Sequence, residues 1–248
     1  MSFIRFFFRV IGLLSLLAVG LFIAFAFYAW LSKPKKDWLL KFWSACLMFI
    51  TGVRLEQEGE PLHNQAVMLV ANHVSWIDIF IINAQRATSF VAKAEIRSWP
   101  VVGWLVHQVG TIFIVRGHRQ AAVEINKKMA ELFEQGVAVG LFPEGTTSEG
   151  FSLLPIKYGL LEGALRARVP IQPVCLIFKY KGERSGHVAF VGEQTLVANI
   201  WILLSSRDVS VTVRFLPPVT QAGVEPTEGR NIIGARVEAA ISAELARG

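Results

Sequence analysis

Two groups of residues in this 248-residue chain have the types and spacing to do chemistry. The first is His73 with Asp78, in the stretch Asn72-His73-Val74-Ser75-Trp76-Ile77-Asp78 that directly follows the apolar run Val67–Ala71. If Ser75 opens a helix, Asp78 lies in its first turn and can fold back towards His73. A carboxylate on one imidazole nitrogen fixes the tautomer and leaves the other nitrogen free as a base near neutral pH. The same pair also fits a strand-end His capped by a nearby Asp, and spacing alone does not separate the two. The second group is Leu141-Phe142-Pro143-Glu144-Gly145-Thr146-Thr147-Ser148. Here an apolar run again enters a polar, Gly-containing loop, which offers backbone N–H groups and hydroxyls to an anionic ligand. A plain strand-to-loop turn would look alike. The loop lacks both the Gly-Lys-Ser/Thr ending of a P-loop and the G-x-S-x-G of a nucleophile elbow, so Ser148 is not read as a nucleophile.

Other reactive side chains offer less. Cys46 and Cys175 form no C-x-x-C or zinc spacing and sit in apolar runs, as small buried hydrophobes in a reducing compartment. His63, His107, His118 and His187 show no metal-ligand spacing. No metal and no cofactor are expected.

The elements that must hold these groups come from periodicity. Short apolar runs at Val67–Ala71, Phe90–Ala92, Thr111–Val115, Val137–Phe142, Ile171–Phe178, His187–Val191 and Val209–Phe215 predict strands. Between them, Ala122, Ile125, Met129, Leu132 and Phe133 recur at helical spacing, as do Ile233, Val237, Ala240, Ile241 and Leu245. Alternation of this kind predicts an α/β domain with a largely parallel central sheet of about seven strands flanked by helices. In such sheets, sites form where strands end and helices begin. Both candidate groups lie at such junctions.

The N-terminal region is different. With 53% hydrophobic and only 18% charged residues and a mean hydropathy of +0.45, part of the chain is suited to lipid. Val10 to Leu31 carries no charge. At about 1.5 Å per residue it reaches roughly 33 Å, enough for a bilayer core of about 30 Å. Ala24-Phe25-Ala26 resembles a signal-peptide cleavage site, but the residues after it stay apolar, so an uncleaved anchor at about 10–31 is the reading. The apolar run that ends near Val53 is too short to cross and predicts an interfacial or re-entrant helix over about 37–53. The expected organisation is a membrane anchor over 1–53 and an α/β domain over 54–248. Residues 1–41 hold six basic groups against Asp37 alone, whereas the remaining 207 residues hold 19 basic and 18 acidic groups. Excess positive charge beside the most apolar segment suits anionic lipid head groups rather than nucleic acid.

Four blocks in order resemble the glycerolipid acyltransferase superfamily, and within it the 1-acylglycerol-3-phosphate acyltransferases. The blocks are Asn72-His73-x4-Asp78; Lys93-Ala94-Glu95 through Pro100, Gly103 and Gly110 to Phe113-Ile114-Val115-Arg116; Phe142-Pro143-Glu144-Gly145-Thr146-Thr147-Ser148; and Val169-Pro170-Ile171-Gln172-Pro173-Val174. The resemblance implies His73 as the general base on an acceptor hydroxyl, with Asp78 orienting it. The hydroxyl would attack an acyl thioester directly, with acyl-CoA or acyl-carrier protein as co-substrate. Arg116 would contact the acceptor phosphate and Lys93 would add to that positive patch, although both also read as solvated charges at strand ends. Glu144, Gly145 and Thr146 would shape the acceptor pocket. The implied acceptor is the sn-2 hydroxyl of 1-acylglycerol-3-phosphate, giving phosphatidate for phospholipid synthesis. The implied location is a bacterial-type inner membrane with the catalytic domain on the cytoplasmic face. One departure bears on the acceptor: many of these enzymes carry Arg where this chain has Thr147, and Thr there is similar to relatives that acylate a lyso-ornithine lipid. That acceptor, or another lyso-lipid, is the alternative. A thioesterase using His73 to activate water and a non-catalytic membrane adaptor are the rivals from other classes.

Overall fold

The computed structural model describes residues 2–98, 102–108, 110–114, 119–219 and 226–247. Among the described residues, eight strands form one sheet: β1 (Val53–Glu58), β2 (Val67–Ala71), β3 (Ser89–Lys93), β4 (Ile112–Ile114), β5 (Ala138–Leu141), β6 (Ile171–Tyr180), β7 (Glu183–Arg184) and β8 (Val209–Phe215). Their order is β1-β8-β6-β2-β5-β3-β4, with β7 pairing β6 alone. The β2–β5, β2–β6, β3–β5, β3–β4 and β1–β8 pairs are parallel, and only β6 runs antiparallel to β8 and β7. β2 is central, with Val67 beside Ala138 and Met68 beside Ile171, and all five of its residues are buried. A strand covered on both faces needs an unbroken apolar run, which Val-Met-Leu-Val-Ala supplies. The expected, mostly parallel α/β sheet is therefore what the chain builds.

The helices are α1 (Ser2–Ala26), α2 (Lys33–Thr51), α3 (Asp78–Gln85), α4 (Val102–Gln108), α5 (Arg119–Glu134), α6 (Glu162–Arg166), α7 (Leu196–Ser205) and α8 (Pro226–Arg247). One sheet face packs Ile125, Met129 and Phe133 of α5 with Ile233, Val237, Ile241 and Leu245 of α8, which are the two stripes read from the sequence. The other face carries Leu47 and Met48 of α2, Ile81 and Ile82 of α3, and Leu203 of α7. Outside that layer, α1 lies along α2 and α7: Leu13 and Leu16 meet the core beside Trp43, whose indole N–H donates to the Leu16 carbonyl at 3.2 Å.

Three expectations are corrected. The apolar helix does not run from 10 to 31; α1 starts at Ser2, ends at Ala26, and a 3-10 turn follows at Tyr28–Trp30. It begins early because its two arginines find partners. Arg5 donates to the Ser205 carbonyl at 2.6 Å, and Arg9 to those of Leu204 and Ser206 at 3.1 and 2.7 Å, at the C-terminal end of α7 where a cation is favoured. The next helix covers Lys33–Thr51 rather than 37–53, because Pro34 is tolerated in a first turn that needs no donor there. It stops at Gly52 (φ +74°), a left-handed cap where a Cβ would come within 1.8 Å of Arg9 Nη2. Val53 already belongs to β1. Finally, 187–191 is not a strand: Val188 and Ala189 are buried in a loop whose carbonyls bond a side chain of α7 rather than a sheet partner.

Candidate active site

β2 leaves the sheet at Asn72, and its fully buried amide replaces the ladder there. Nδ2 donates to the Leu176 carbonyl at 3.0 Å, and the Leu176 N–H donates to Oδ1 at 2.7 Å. This clamp fixes where the next residue, His73, stands. The His73 N–H donates to Glu144 Oε1 at 2.7 Å, and its carbonyl accepts from the Ser148 N–H at 2.8 Å. The chain then turns through 74–77 and α3 begins on Asp78.

Asp78 folds back onto that turn. Its Oδ2 accepts the N–H groups of Val74 and Ser75 at 2.6 and 3.0 Å and lies 2.7 Å from His73 Nδ1. The Asp78 side chain is wholly buried while that of His73 keeps 20% exposure. An ionised carboxylate can only accept, so the proton of this contact sits on Nδ1 and Nε2 is left as the basic nitrogen. The two backbone donors fix the position of the buried carboxylate against the imidazole. The imidazole is also fixed face-on: its ring stacks on Phe142 at 4.1 Å and 13°, and Phe142 stacks on Phe90 at 5.4 Å and 10°.

The loop after β5 supplies the facing wall. Glu144 is buried, with Oε1 on the His73 N–H and Oε2 on the Leu154 N–H at 2.9 Å. Burial pushes its carboxyl above the usual range, while those two N–H groups and nearby His73 pull the other way. Its side chain therefore stitches two backbone segments under the dyad. Gly145 takes φ +73° and turns the loop, and Thr146 is exposed on it. The Thr147 hydroxyl donates to the Phe190 carbonyl, and the Phe190 N–H donates to the Val74 carbonyl at 2.9 Å.

Of the residues singled out by the sequence, the structure brings together His73, Asp78, Glu144 and Gly145, with Thr146 on the same loop. Lys93 closes β3 at the same end of the sheet, while its side chain and the whole of Arg116 lie outside the described residues. Sequence reading gave no role to the Asn72 clamp or the Phe142 stack, although both belong to the quoted blocks. Cys175 is buried in β6, and burial pushes its thiol up to about 12, so it is no nucleophile at neutral pH. Among the described residues, no three His, Cys, Asp or Glu side chains are grouped to hold a metal ion.

Comparison with known proteins gives this arrangement a context. The family model Acyltransferase matches residues 53–177, from β1 into β6 and across both loops. A lyso-ornithine lipid O-acyltransferase of Pseudomonas aeruginosa is 34% identical over 238 residues, covering 92% of this chain and 90% of the relative. A 1-acyl-sn-glycerol-3-phosphate acyltransferase of Neisseria gonorrhoeae is 35% identical over 187 residues, covering 75% and 72%. In fold, the chain is similar to the crystal structure of PlsC, the 1-acyl-sn-glycerophosphate acyltransferase of Thermotoga maritima, with a TM-score of 0.67, 19% identity, and coverage of 98% and 96%. A buried carboxylate behind a mostly buried histidine, in the turn after β2 within the matched span, is thus part of a chain that belongs to the acyltransferase family containing the 1-acyl-sn-glycerol-3-phosphate and lyso-ornithine lipid acyltransferases.

Proposed function

We propose that the chain moves a fatty acyl group from acyl-CoA or acyl-carrier protein to the sn-2 hydroxyl of 1-acylglycerol-3-phosphate, releasing phosphatidate and a free thiol. The observation that carries this reading is the 2.7 Å contact of His73 Nδ1 with an Asp78 oxygen already held by two backbone N–H groups. His73 Nε2 takes the proton from the acceptor hydroxyl as its oxygen attacks the thioester carbonyl. Asp78 stabilises the imidazolium so formed. The C–S bond then breaks and the leaving thiolate takes the proton from Nε2, returning the base. Arg116 and Lys93 serve the acceptor phosphate, and Glu144, Gly145 and Thr146 shape the wall of the pocket.

A second reading keeps the reaction and changes the acceptor to a lyso-ornithine lipid. It is favoured by Thr147, which puts no cation after Glu-Gly-Thr and whose hydroxyl is spent on the Phe190 carbonyl, and by the name of the Pseudomonas relative. In both readings residues 1–53 attach the unit of residues 54–248 to lipid. Among the described residues α1 is the one helix long and apolar enough to cross a bilayer, and its outer face exposes Phe3, Phe7, Phe22 and Phe25. The catalytic edge then faces the cytoplasm, where acyl-CoA and acyl-carrier protein are.

The test is product analysis with purified protein in lipid micelles, acyl-CoA, and either lysophosphatidate or lyso-ornithine lipid. Phosphatidate from the first acceptor is the expected result. Turnover with lyso-ornithine lipid alone would move the acceptor to the second reading, and thiol release at full rate without acceptor would replace transfer by hydrolysis.

A further inference from the structure

α7 is an apolar helix, Leu-Val-Ala-Asn-Ile-Trp-Ile-Leu-Leu-Ser, with a single amide in its middle. That residue, Asn199, is fully buried, a position where an amide is costly unless each polar atom is met. Each is met, by segments that flank the catalytic dyad. Oδ1 accepts the indole N–H of Trp76 at 2.9 Å. An indole can only donate, so this contact fixes which way the amide points. Nδ2 faces the carbonyls of Val188 and Ala189 at 3.3 and 3.1 Å and Gln194 Oε1 at 2.8 Å, three acceptors shared between two hydrogens.

Trp76 stands in the middle of the turn whose first residue is His73 and whose last is Asp78. That turn is tied to the 187–190 segment twice, directly through the Phe190 N–H on the Val74 carbonyl and indirectly through Trp76 and Asn199. The direct tie holds the start of the turn beside His73, and the amide holds its crest before Asp78. At its far end, α7 is held to α1 by Arg5 and Arg9 on its last carbonyls. The helix therefore runs as a strut between the apolar N-terminal helix and the catalytic turn.

We propose that Asn199 is a positioning residue for acyl transfer: it seats Trp76, and so holds the turn that lays Asp78 against His73 Nδ1. The proposal rests on the reading of His73 as the general base. Because Asn199 is fully buried behind the turn, its loss acts on the rate of the chemical step and not on substrate affinity. A misplacement near 1 Å in such a base costs about a hundredfold.

The experiment compares full-length Asn199→Leu, Trp76→Phe and their double variant with wild type in micelles, measuring kcat, KM for acyl-CoA, and melting temperature. Trp76→Phe keeps an aromatic ring and deletes only the indole donor. Thr195→Ala serves as a structural control, because it removes the hydroxyl that caps the same helix at the Ala198 N–H and leaves Trp76 untouched. Each single variant is expected to lower kcat by about ten- to a hundredfold with KM within about twofold, and the double variant to be no worse than the worse single one. Thr195→Ala is expected to lower the melting temperature while keeping kcat. Additive losses in the double variant, or a kcat that follows melting temperature equally in Asn199→Leu and Thr195→Ala, would overturn the role. Turnover that survives His73→Ala would instead overturn the reaction on which the role depends.

Discussion

At the turn between β2 and α3, three donors converge on one oxygen of Asp78, a ring stacks on the face of His73, and a second carboxylate holds the His73 N–H. On the outer face of α1, by contrast, Phe3, Phe7, Phe22 and Phe25 are largely exposed, with edge-on ring contacts of Phe3 to Trp201, Phe7 to Phe8 and Phe22 to Phe27 but no polar partner to place. Another apolar side chain of similar size would cover the face as well. The first region works through the placement of single atoms, so its effects are steep and depend on neighbours. The second works through summed apolar area, so its effects are shallow and additive. Between them, α7 belongs to both: its Asn199 serves the turn, and its last carbonyls seat the arginines of α1.

Substitutions ordered by size sharpen that contrast. Asp78→Asn keeps an oxygen for the Val74 and Ser75 N–H groups but removes the charge that stabilises the imidazolium. It is expected to lower kcat by about 10²–10⁴-fold with little change in melting temperature, and near-normal kcat would mean the carboxylate only caps the turn. On the lipid side, Phe25→Ser is expected to weaken retention on anionic phospholipid vesicles by about tenfold, read by co-sedimentation, with kcat in micelles unchanged. Loss of catalysis there would mean that the two regions are not separable in this way. Arg9→Ala leaves the Leu204 and Ser206 carbonyls without their cation and costs about 1–2 kcal/mol, a drop of roughly 3–6 °C in melting temperature.

The smallest effect concerns His187, stacked on Tyr180 at 3.9 Å and bonded through Nε2 to Ser206 Oγ at 2.8 Å, the residue whose carbonyl takes Arg9. Burial, then the neighbouring Lys181, holds this imidazole below its ordinary value. With the folded-state value depressed, the unfolded chain takes up the proton first. The stability present above about pH 6.5 is therefore lost as the pH falls through the folded-state value. Between about pH 7.5 and about pH 5.5, the melting temperature of wild type should fall by about 1–2 °C more than that of His187→Gln. Equal falls would show that this corner does not respond to acid.

The same contrast explains what the sequence made legible. β2 and β8 are found at their observed limits because β2 is a wholly buried apolar run and β8 sets Val209, Val211, Val213 and Phe215 at every second position. The closeness of His73 and Asp78 is legible in local spacing, because a tight turn into a helix brings residues five apart together, whereas the distant partners that hold the turn, Phe190 and Asn199, leave no local mark. β1 escaped because Val53–Glu58 is an edge strand with four polar residues in six, apolar enough only at Val53 and Leu55 to face the core. The stretch 187–191 misled for the opposite reason: Val188 and Ala189 are buried, but their carbonyls bond Asn199 rather than a neighbouring strand. An amide in an apolar helix and the carbonyls it serves lie about ten residues apart in sequence and carry no period. Nor could the extension of α1 through Arg5 and Arg9 be seen, since charges look unsuited to an apolar helix until the C-terminal end of α7 is placed beside them.

The central claim is that His73 passes the acceptor's proton to the leaving thiol. It is tested most directly by thiol release from acyl-CoA, with and without lysophosphatidate or lyso-ornithine lipid, comparing wild type and His73→Ala at equal folded concentration. Release is expected to require a lyso-lipid acceptor and to fall by about 10²–10⁴-fold or more in His73→Ala, with the melting temperature preserved. Acceptor-dependent release at the wild-type rate in His73→Ala would contradict it.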